Sequence, residues 1–200
     1  LKRQSSGSPR YTVFRVAEAA IDWSAIPAPK DDGGAAHLTG LAWPAKPLLG
    51  TDGAVHDLSG RAGLGVVFVY PKTGRPDVLA ADGWDMIPGA KGCTPQTCAF
   101  RDLANDLGDA GVGFLFGLST QTTQWQQEAV TRLHLSYPLL SDAALLLADA
   151  LRLPRMDVGG EVLLNRMALI LQDGIIIKVF YPVFPPDQNA ADVLGWLRER

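Results

Sequence analysis

The chain has two cysteines, Cys93 and Cys98, which stand five residues apart in the stretch GCTPQTCAFRD. A structural zinc site needs about four ligands, usually in two close pairs, and His37, His56 and His134 lie far from the cysteines along the sequence. A secreted disulfide framework uses more cysteines in a shorter chain, and dithiol oxidoreductases usually have closer thiols. Metal binding and these disulfide classes are therefore poor interpretations, and another thiol chemistry has to be considered.

Cys93 lies just before a predicted amphipathic helix, PQTCAFRDLANDLGDAG, whose apolar residues recur at helical spacing. Pro95 suits the first turn of that helix, because the missing N–H of proline is not needed there. The free N–H groups and the positive dipole end of a helix N-terminus stabilise a thiolate. Cys93 is therefore the candidate nucleophile, and Cys98 lies one turn further along, inside the helix.

The spacing of the two thiols also restricts how they can bond. Five residues along an α-helix place two Cα atoms about 8.6 Å apart, whereas a disulfide needs a separation below about 7 Å. Cys93 and Cys98 can therefore bond only if the first turns of the helix unwind. This pattern suits a thiol that reacts in the folded state and is captured by its neighbour after local opening, which makes Cys98 the candidate resolving thiol.

Composition excludes several classes of function. The chain has 200 residues, 47% of them hydrophobic, which suits one large domain or one domain with an extension. Its net charge is −3, without a Lys/Arg stripe for a nucleic-acid backbone. It has no apolar run near the roughly 20 residues of a spanning helix and no recognisable secretory signal. We therefore expect a cytoplasmic protein without a nucleic-acid or membrane partner, in a compartment where close cysteines are usually redox-active.

The order of predicted elements indicates an α/β fold. Residues 1–47 are rich in Pro, Gly and Ser, and we interpret them as an N-terminal arm packed on a domain that spans 48–200. In that domain a buried strand, GVVFVY, the cysteine-bearing helix and a second strand, VGFLFGL, form a parallel crossover unit. A hairpin, RMALILQDGIIIKVFYPV, and a helix capped by Asn189 follow. This order predicts a thioredoxin-like fold, in which helices flank a central mixed β-sheet, with an N-terminal extension.

The cysteine stretch, which follows a strand ending in VYPK, resembles the peroxiredoxin family, and specifically its peroxiredoxin Q or bacterioferritin comigratory protein type. The shared motif is Gly-Cys-Thr-x-Gln-x-Cys-x-Phe-Arg-Asp, and LLSD and NRMALILQDG resemble later segments of the family. The resemblance implies that Cys93 is the peroxidatic cysteine and Cys98 the resolving one. It also implies that Arg166 stabilises the thiolate and polarises the peroxide, and that Gln96 orients Arg166.

The chain also departs from the family pattern. The family places Pro seven residues and Thr three residues before the nucleophile, but Met86 and Ala90 stand there. Pro71 follows its strand as expected, yet it lies 22 residues before Cys93, as though TGRPDVLAADGWDMI had been inserted. We assign Pro71 and Thr73 to substrate positioning, with two alternatives for Thr73: either it enters the site and binds the peroxide, or that contact is lost. A loop this long suits a lid or binding surface, with Trp84 and Met86 as lining for a bulkier hydroperoxide.

Together these observations predict a thiol peroxidase, without a metal or other cofactor, that reduces hydrogen peroxide or organic hydroperoxides. Its disulfide would be reset by thioredoxin or a similar dithiol, and the chain would be a monomer or weak homodimer. Two alternatives stay open. One is a non-catalytic redox sensor or interaction module that uses the same disulfide as a switch, and the other is a one-cysteine peroxidase in which Cys98 takes no part.

Overall fold

A computed structural model describes residues 21–200 of the chain. Its main sheet has seven strands in the order β2-β1-β5-β4-β3-β8-β9, and β6 and β7 form a separate hairpin. The strands are β1 (Leu48–Gly50), β2 (Val55–His56), β3 (Leu64–Val69), β4 (Val112–Ser119), β5 (Leu139–Ser141), β6 (Arg155–Val158), β7 (Glu161–Leu164), β8 (Met167–Gln172) and β9 (Ile175–Phe180). The α-helices are α1 (Cys93–Asp102), α2 (Ala104–Asp109), α3 (Thr123–Leu133), α4 (Leu146–Leu151) and α5 (Asn189–Arg198). Short 3-10 turns span Trp23–Ala25, Trp84–Met86 and Pro186–Gln188.

Strand β3 lies at the centre of the sheet, parallel to β4 and antiparallel to β8. Its residues from Gly65 to Val69 are all buried, as a continuous apolar run predicts for a strand covered on both faces. The helical segment between β3 and β4 provides the crossover that parallel strands require. The predicted α/β architecture with a central mixed sheet flanked by helices is therefore confirmed.

Aromatic packing fixes the cysteine-bearing helix against the sheet. Phe100 of α1 stacks on Phe68 of β3 with ring centroids 4.4 Å apart and an interplanar angle of 9°. Tyr137 meets Phe68 edge-on at 5.7 Å, and its hydroxyl donates to Thr97 O of α1 at 2.7 Å. Because all three rings are buried, these contacts set the position of α1 relative to β3, and the helix in turn positions Cys93.

The N-terminal arm was predicted over residues 1–47, and its first part, 1–20, lies outside the described residues. In the remaining part, Leu38 is fully buried and Trp43 is 3% exposed. The backbone N–H of Trp43 donates to Gly174 O at 2.7 Å, and Ala42 forms a β-bridge with Ile175. This part of the arm therefore lies against β9, at one edge of the sheet.

Two helix boundaries differ from the sequence prediction. The single helix expected from Pro95 onward is divided at Leu103, whose φ and ψ of −101° and 9° lie outside the α-helical region. The interruption is one residue long, since α2 begins at Ala104, and the Leu103 N–H still donates to Ala99 O at 3.1 Å. The first helix also begins earlier than predicted, at Cys93 itself. In the described part of the chain, no helix is both long and apolar enough to cross a bilayer.

Candidate active site

Cys93 is the first residue of α1, and Gly92 precedes it with a φ of 105°. Few residues other than glycine adopt this left-handed conformation. A Cβ at Gly92 would also lie 2.4 Å from Pro186 Cγ and 2.9 Å from Trp23 Cη2. Gly92 is therefore required both by backbone conformation and by close packing, and it turns the chain so that Cys93 enters the helix at its N-terminus.

The Cys93 sulfur is surrounded by hydrogen-bond donors although the residue is only 4% exposed. Arg166 Nη2 donates to Cys93 Sγ at 3.3 Å, and the backbone N–H of Lys72 donates to it at the same distance. Ala90 O lies 3.5 Å from the sulfur and can accept the thiol proton. Two hydrogen-bond donors, one of them a guanidinium, therefore point at the Cys93 sulfur.

Arg166 is held in place by the loop before Cys93 and by α1. It is 2% exposed, and its Nη1 donates to Gln96 Oε1 at 2.5 Å. Its Nη2 also donates to the carbonyl oxygens of Gly89, Ala90 and Lys91 at 3.1 to 3.2 Å. The guanidinium is therefore fixed in one orientation. Its Nε is buried and has no hydrogen-bond partner among residues 21–200.

Asn189 connects the arginine to the C-terminal helix. The sequence predicted Asn189 as the cap of that helix, but the helix begins at Asn189, and the residue before it, Gln188, makes no capping hydrogen bond. The Asn189 side chain instead accepts from Gln96 Nε2 at 2.8 Å and is 1% exposed. Sequence reasoning missed this role, because a polar residue at a helix start reads first as a cap.

Segment 71–73 reaches the site through its backbone. Pro71 is buried, and the next residue supplies the Lys72 N–H that bonds the sulfur. Thr73 is fully buried, but its hydroxyl donates to Gln121 Oε1 at 3.0 Å and makes no hydrogen bond to Cys93. Trp125 Nε1 and Gln121 Nε2 donate to Thr73 O at 2.9 and 3.1 Å. Gln121 and Trp125 therefore hold the segment in place, and no local sequence pattern predicts this arrangement.

Cys98 lies five residues further along the same helix and is partly buried. No disulfide joins it to Cys93. Both cysteines are helical, so the separation expected from helix geometry applies: about 8.6 Å between the Cα atoms, too far for a disulfide. The structure brings Arg166 into contact with both Cys93 and Gln96, and it places Cys98 more than one helical turn beyond Cys93.

The loop before Cys93 only partly matches its predicted role. Trp84 lines a small apolar groove of about 110 Å³ together with Leu79 and Trp125. Met86 is 63% exposed and does not line that groove. Neither Cys93 nor Arg166 lines this groove, so a hydroperoxide pocket at Trp84 stays a prediction, and Met86 faces solvent.

Tyr70, which directly follows β3, is a fully buried titratable residue that interacts with Cys93. Burial raises the pKa of the Tyr70 phenol well above its usual range, and the charge on Cys93 raises that pKa further. Tyr70 therefore stays neutral at physiological pH. It adds no negative charge that would oppose a thiolate at Cys93.

Comparisons with known proteins show the family to which the chain belongs. A family model described as Redoxin matches residues 27–194. A Mycobacterium tuberculosis protein named as a peroxiredoxin is 30% identical over 136 residues, which cover 64% of this chain and 88% of the relative.

Solved structures show the same fold. The crystal structure of peroxidoxin BcpB from M. tuberculosis has a TM-score of 0.64 and 26% identity, and the match covers 80% of this chain and 96% of that one. Bacterioferritin comigratory protein from Xanthomonas campestris, studied for alkyl peroxide reduction, has a TM-score of 0.61 and 20% identity, over 80% of this chain and 96% of that one. The predicted thioredoxin-like fold is thus confirmed. The chain belongs to the Redoxin family and, within it, to the peroxiredoxins of the peroxiredoxin Q or bacterioferritin comigratory protein type.

Proposed function

We propose that this protein is a thiol-dependent peroxidase and that Cys93 is its nucleophile. The observation that carries the proposal is the environment of Cys93 Sγ, which lies at the N-terminus of α1 within 3.3 Å of both Arg166 Nη2 and the Lys72 N–H. A buried sulfur with two such donors is prepared to carry negative charge. Only the thiolate form of cysteine is an effective nucleophile.

In the first step, the Cys93 thiolate attacks the terminal oxygen of a hydroperoxide. The S–O bond forms as the O–O bond breaks, and the sulfur becomes a sulfenic acid. The departing alkoxide or hydroxide takes up a proton from water and leaves as an alcohol or as water. Arg166 assists because its N–H groups, already fixed by Gln96, stabilise the charge that develops on the peroxide oxygens.

In the second step, the Cys98 thiolate attacks the Cys93 sulfur. A disulfide forms, the S–O bond breaks, and the hydroxide takes up a proton to become water. This step requires the first turn of α1 to unwind, because the helical separation exceeds disulfide reach. The bonds that must open include Thr97 Oγ1 to Cys93 O at 2.7 Å and the Gln96 N–H to Gly92 O at 3.0 Å. Helix ends open at low free-energy cost.

An external dithiol then resets the enzyme by thiol–disulfide exchange and is itself oxidised to a disulfide. Thioredoxin, or a protein with the same chemistry, is the reductant that we propose. The substrates are hydrogen peroxide and organic hydroperoxides. The alkyl peroxide reduction reported for the Xanthomonas campestris protein supports the second class.

A coupled assay tests this function. NADPH oxidation is followed with thioredoxin, thioredoxin reductase and hydrogen peroxide, for the parent protein and for Cys93→Ser. We expect many turnovers per protein molecule in the parent and none above background in the variant. A parent that consumes a single equivalent of peroxide would indicate a redox sensor. Turnover that needs a small thiol and survives loss of Cys98 would indicate a one-cysteine peroxidase.

A further inference from the structure

The backbone N–H that contacts the Cys93 sulfur belongs to a segment beyond the end of β3. Tyr70, the residue after β3, still donates its backbone N–H to Leu118 O of β4 at 3.0 Å. Pro71 has no N–H to donate, and the N–H of Lys72 donates to Cys93 Sγ at 3.3 Å. The chain after Tyr70 therefore needs partners outside the sheet if the Lys72 N–H is to keep its direction.

The carboxamide of Gln121 binds both backbone polar groups of Thr73. The Thr73 N–H donates to Gln121 Oε1 at 2.9 Å, and Gln121 Nε2 donates to Thr73 O at 3.1 Å. The Thr73 hydroxyl donates to the same Oε1 at 3.0 Å. Thr73 is fully buried and Gln121 is 5% exposed. Because a carboxamide offers an acceptor and donors side by side, Gln121 takes the place of a neighbouring strand at this residue.

Gln121 is itself anchored to the ends of two strands. Its backbone N–H donates to Ser119 Oγ of β4 at 3.3 Å, and Ser141 Oγ of β5 donates to its carbonyl oxygen at 2.7 Å. Trp125 Nε1 adds a further donor to Thr73 O at 2.9 Å. The position of Thr73 is therefore tied to the main sheet through side chains rather than through a strand ladder.

These contacts restrict the residue that carries the donor. Lys72 lies between Pro71, which is buried and has a φ fixed by its ring, and Thr73, which is held on both its N–H and its carbonyl. The direction of the Lys72 N–H is set by the peptide plane that joins Lys72 to Pro71. With the residues on both sides held, that N–H is kept pointing at the Cys93 sulfur.

We propose that Gln121 is a positioning residue for peroxide reduction, because its carboxamide holds Thr73 and thereby directs the Lys72 N–H. That N–H holds the Cys93 sulfur in the orientation from which it attacks the peroxide. The inference rests on the proposed peroxidase function. A displacement of about 1 Å in a reacting group can slow a reaction about a hundredfold. Trp125 has a smaller part, since it shares Thr73 O with Gln121.

The test follows the Lys72 amide and the rate of oxidation in the same protein. In a Cys98→Ser background, in which Cys93 is the single thiol, the chain is labelled with ¹⁵N-lysine, and Lys72→Arg identifies the amide signal of residue 72. We expect this signal to move when hydrogen peroxide converts Cys93 to the sulfenic acid. Sulfenic acid formation is timed by rapid quench and mass spectrometry.

Gln121→Met, in the same Cys98→Ser background, removes the carboxamide and keeps a side chain of similar length. The Lys72 amide hydrogen should then exchange faster with solvent, because its segment is held less firmly. The rate constant for sulfenic acid formation should fall about tenfold, the effect of losing one well-placed hydrogen bond. Trp125→Phe keeps both Gln121 bonds to Thr73, so it should change the exchange rate and the oxidation rate in the same directions but less.

Gln126→Met is the matched control for lost packing. Gln126 is also a fully buried glutamine, but its Nε2 donates to Ser119 Oγ at 3.0 Å and to Leu140 O at 2.8 Å. Neither partner belongs to segment 71–73. Gln126→Met should lower the thermal unfolding temperature about as much as Gln121→Met does, with the Lys72 exchange rate and the oxidation rate unchanged.

The outcomes separate the two proposals. An unchanged oxidation rate in Gln121→Met, or a lower rate with unchanged Lys72 exchange, would overturn the role of Gln121 and leave the peroxidase function standing. Equal losses of rate in Gln121→Met and Gln126→Met would also overturn it, because they indicate a general loss of packing. If Gln121→Met does not fold, an unchanged exchange rate and oxidation rate in Trp125→Phe would overturn it instead. No oxidation of the Cys98→Ser background by peroxide would overturn both proposals.

Discussion

Cys93 and Cys98 lie on the same helix but in different environments. Cys93 is 4% exposed and receives hydrogen bonds from Arg166 and Lys72. Cys98 is partly buried and packs against the apolar cluster that contains Phe100. Its backbone lies in the interior of the helix, whereas the N–H groups of the first turn have no partner within the helix. The position of Cys93 at the helix end and beside Arg166 is the reason why we propose Cys93, and not Cys98, as the nucleophile.

The largest effect is expected for Cys93→Ser, which should abolish peroxide turnover. A serine hydroxyl is not ionised at neutral pH and is a weak nucleophile without a general base. The measurement is peroxide consumption with the thioredoxin system. Retained turnover in this variant would show that the two cysteines have been assigned the wrong roles.

Cys98→Ser should allow the first oxidation and stop the cycle there. A sulfenic acid should persist at Cys93, react with a dimedone-type probe and pass to sulfinic acid in excess peroxide. Mass spectrometry of the labelled protein gives the site and the oxidation state. Sustained turnover with thioredoxin would remove Cys98 from the mechanism and favour the one-cysteine alternative.

Arg166→Ala should slow peroxide reduction about a hundredfold, the usual cost of losing a donor that stabilises transition-state charge. The variant also loses the hydrogen bond from Arg166 Nη2 to Cys93 Sγ. Arg166→Lys keeps the charge but lacks the planar fork of the guanidinium. Its rate of peroxide reduction should therefore lie between the rates of the parent and of the alanine variant. An unaltered rate constant for peroxide reduction in Arg166→Ala would show that the guanidinium does not act on the reaction at the sulfur.

A smaller loss is expected for Gln96→Ala. Gln96 accepts from Arg166 Nη1 and donates to Asn189, and a hydrogen bond to a charged group contributes about 1.5 kcal/mol or more. Loosening the arginine should lower the rate about tenfold. Gln96→Glu keeps an oxygen that accepts from Arg166, so its rate should decrease less than the rate of Gln96→Ala. A larger loss in the glutamate variant would argue against a positioning role through Arg166.

Several parts of the fold could be predicted because their signals are local. Buried strands such as β3 appear as apolar runs, and the Asp173-Gly174 pair, with φ of 53° and 77°, gives the hairpin between β8 and β9. The hairpin of β6 and β7 was missed although it has a comparable signal. Its turn is Gly159-Gly160 with φ of 62° and 84°, the backbone that two-residue hairpin turns require.

The candidate site was predictable only in part. The placement of Cys93 at a helix start came from the sequence itself, and the pairing of Gln96 with Arg166 came from resemblance to the family. The Lys72 contact was not predictable, because every non-proline residue has a backbone N–H and its side chain does not reveal where that group points. The role of Asn189 depends on how α5 docks beside α1, which is tertiary packing without a local pattern.

The most direct test of this account is the mass of the protein after one equivalent of hydrogen peroxide, followed by peptide mapping under non-reducing conditions. The account predicts an intramolecular bond between Cys93 and Cys98, a mass lower by two hydrogens, and reduced hydrogen-exchange protection over 94–101, where the first turns of α1 must open. A protein that consumes peroxide without forming this bond, or that forms it with unchanged protection over those residues, would contradict it.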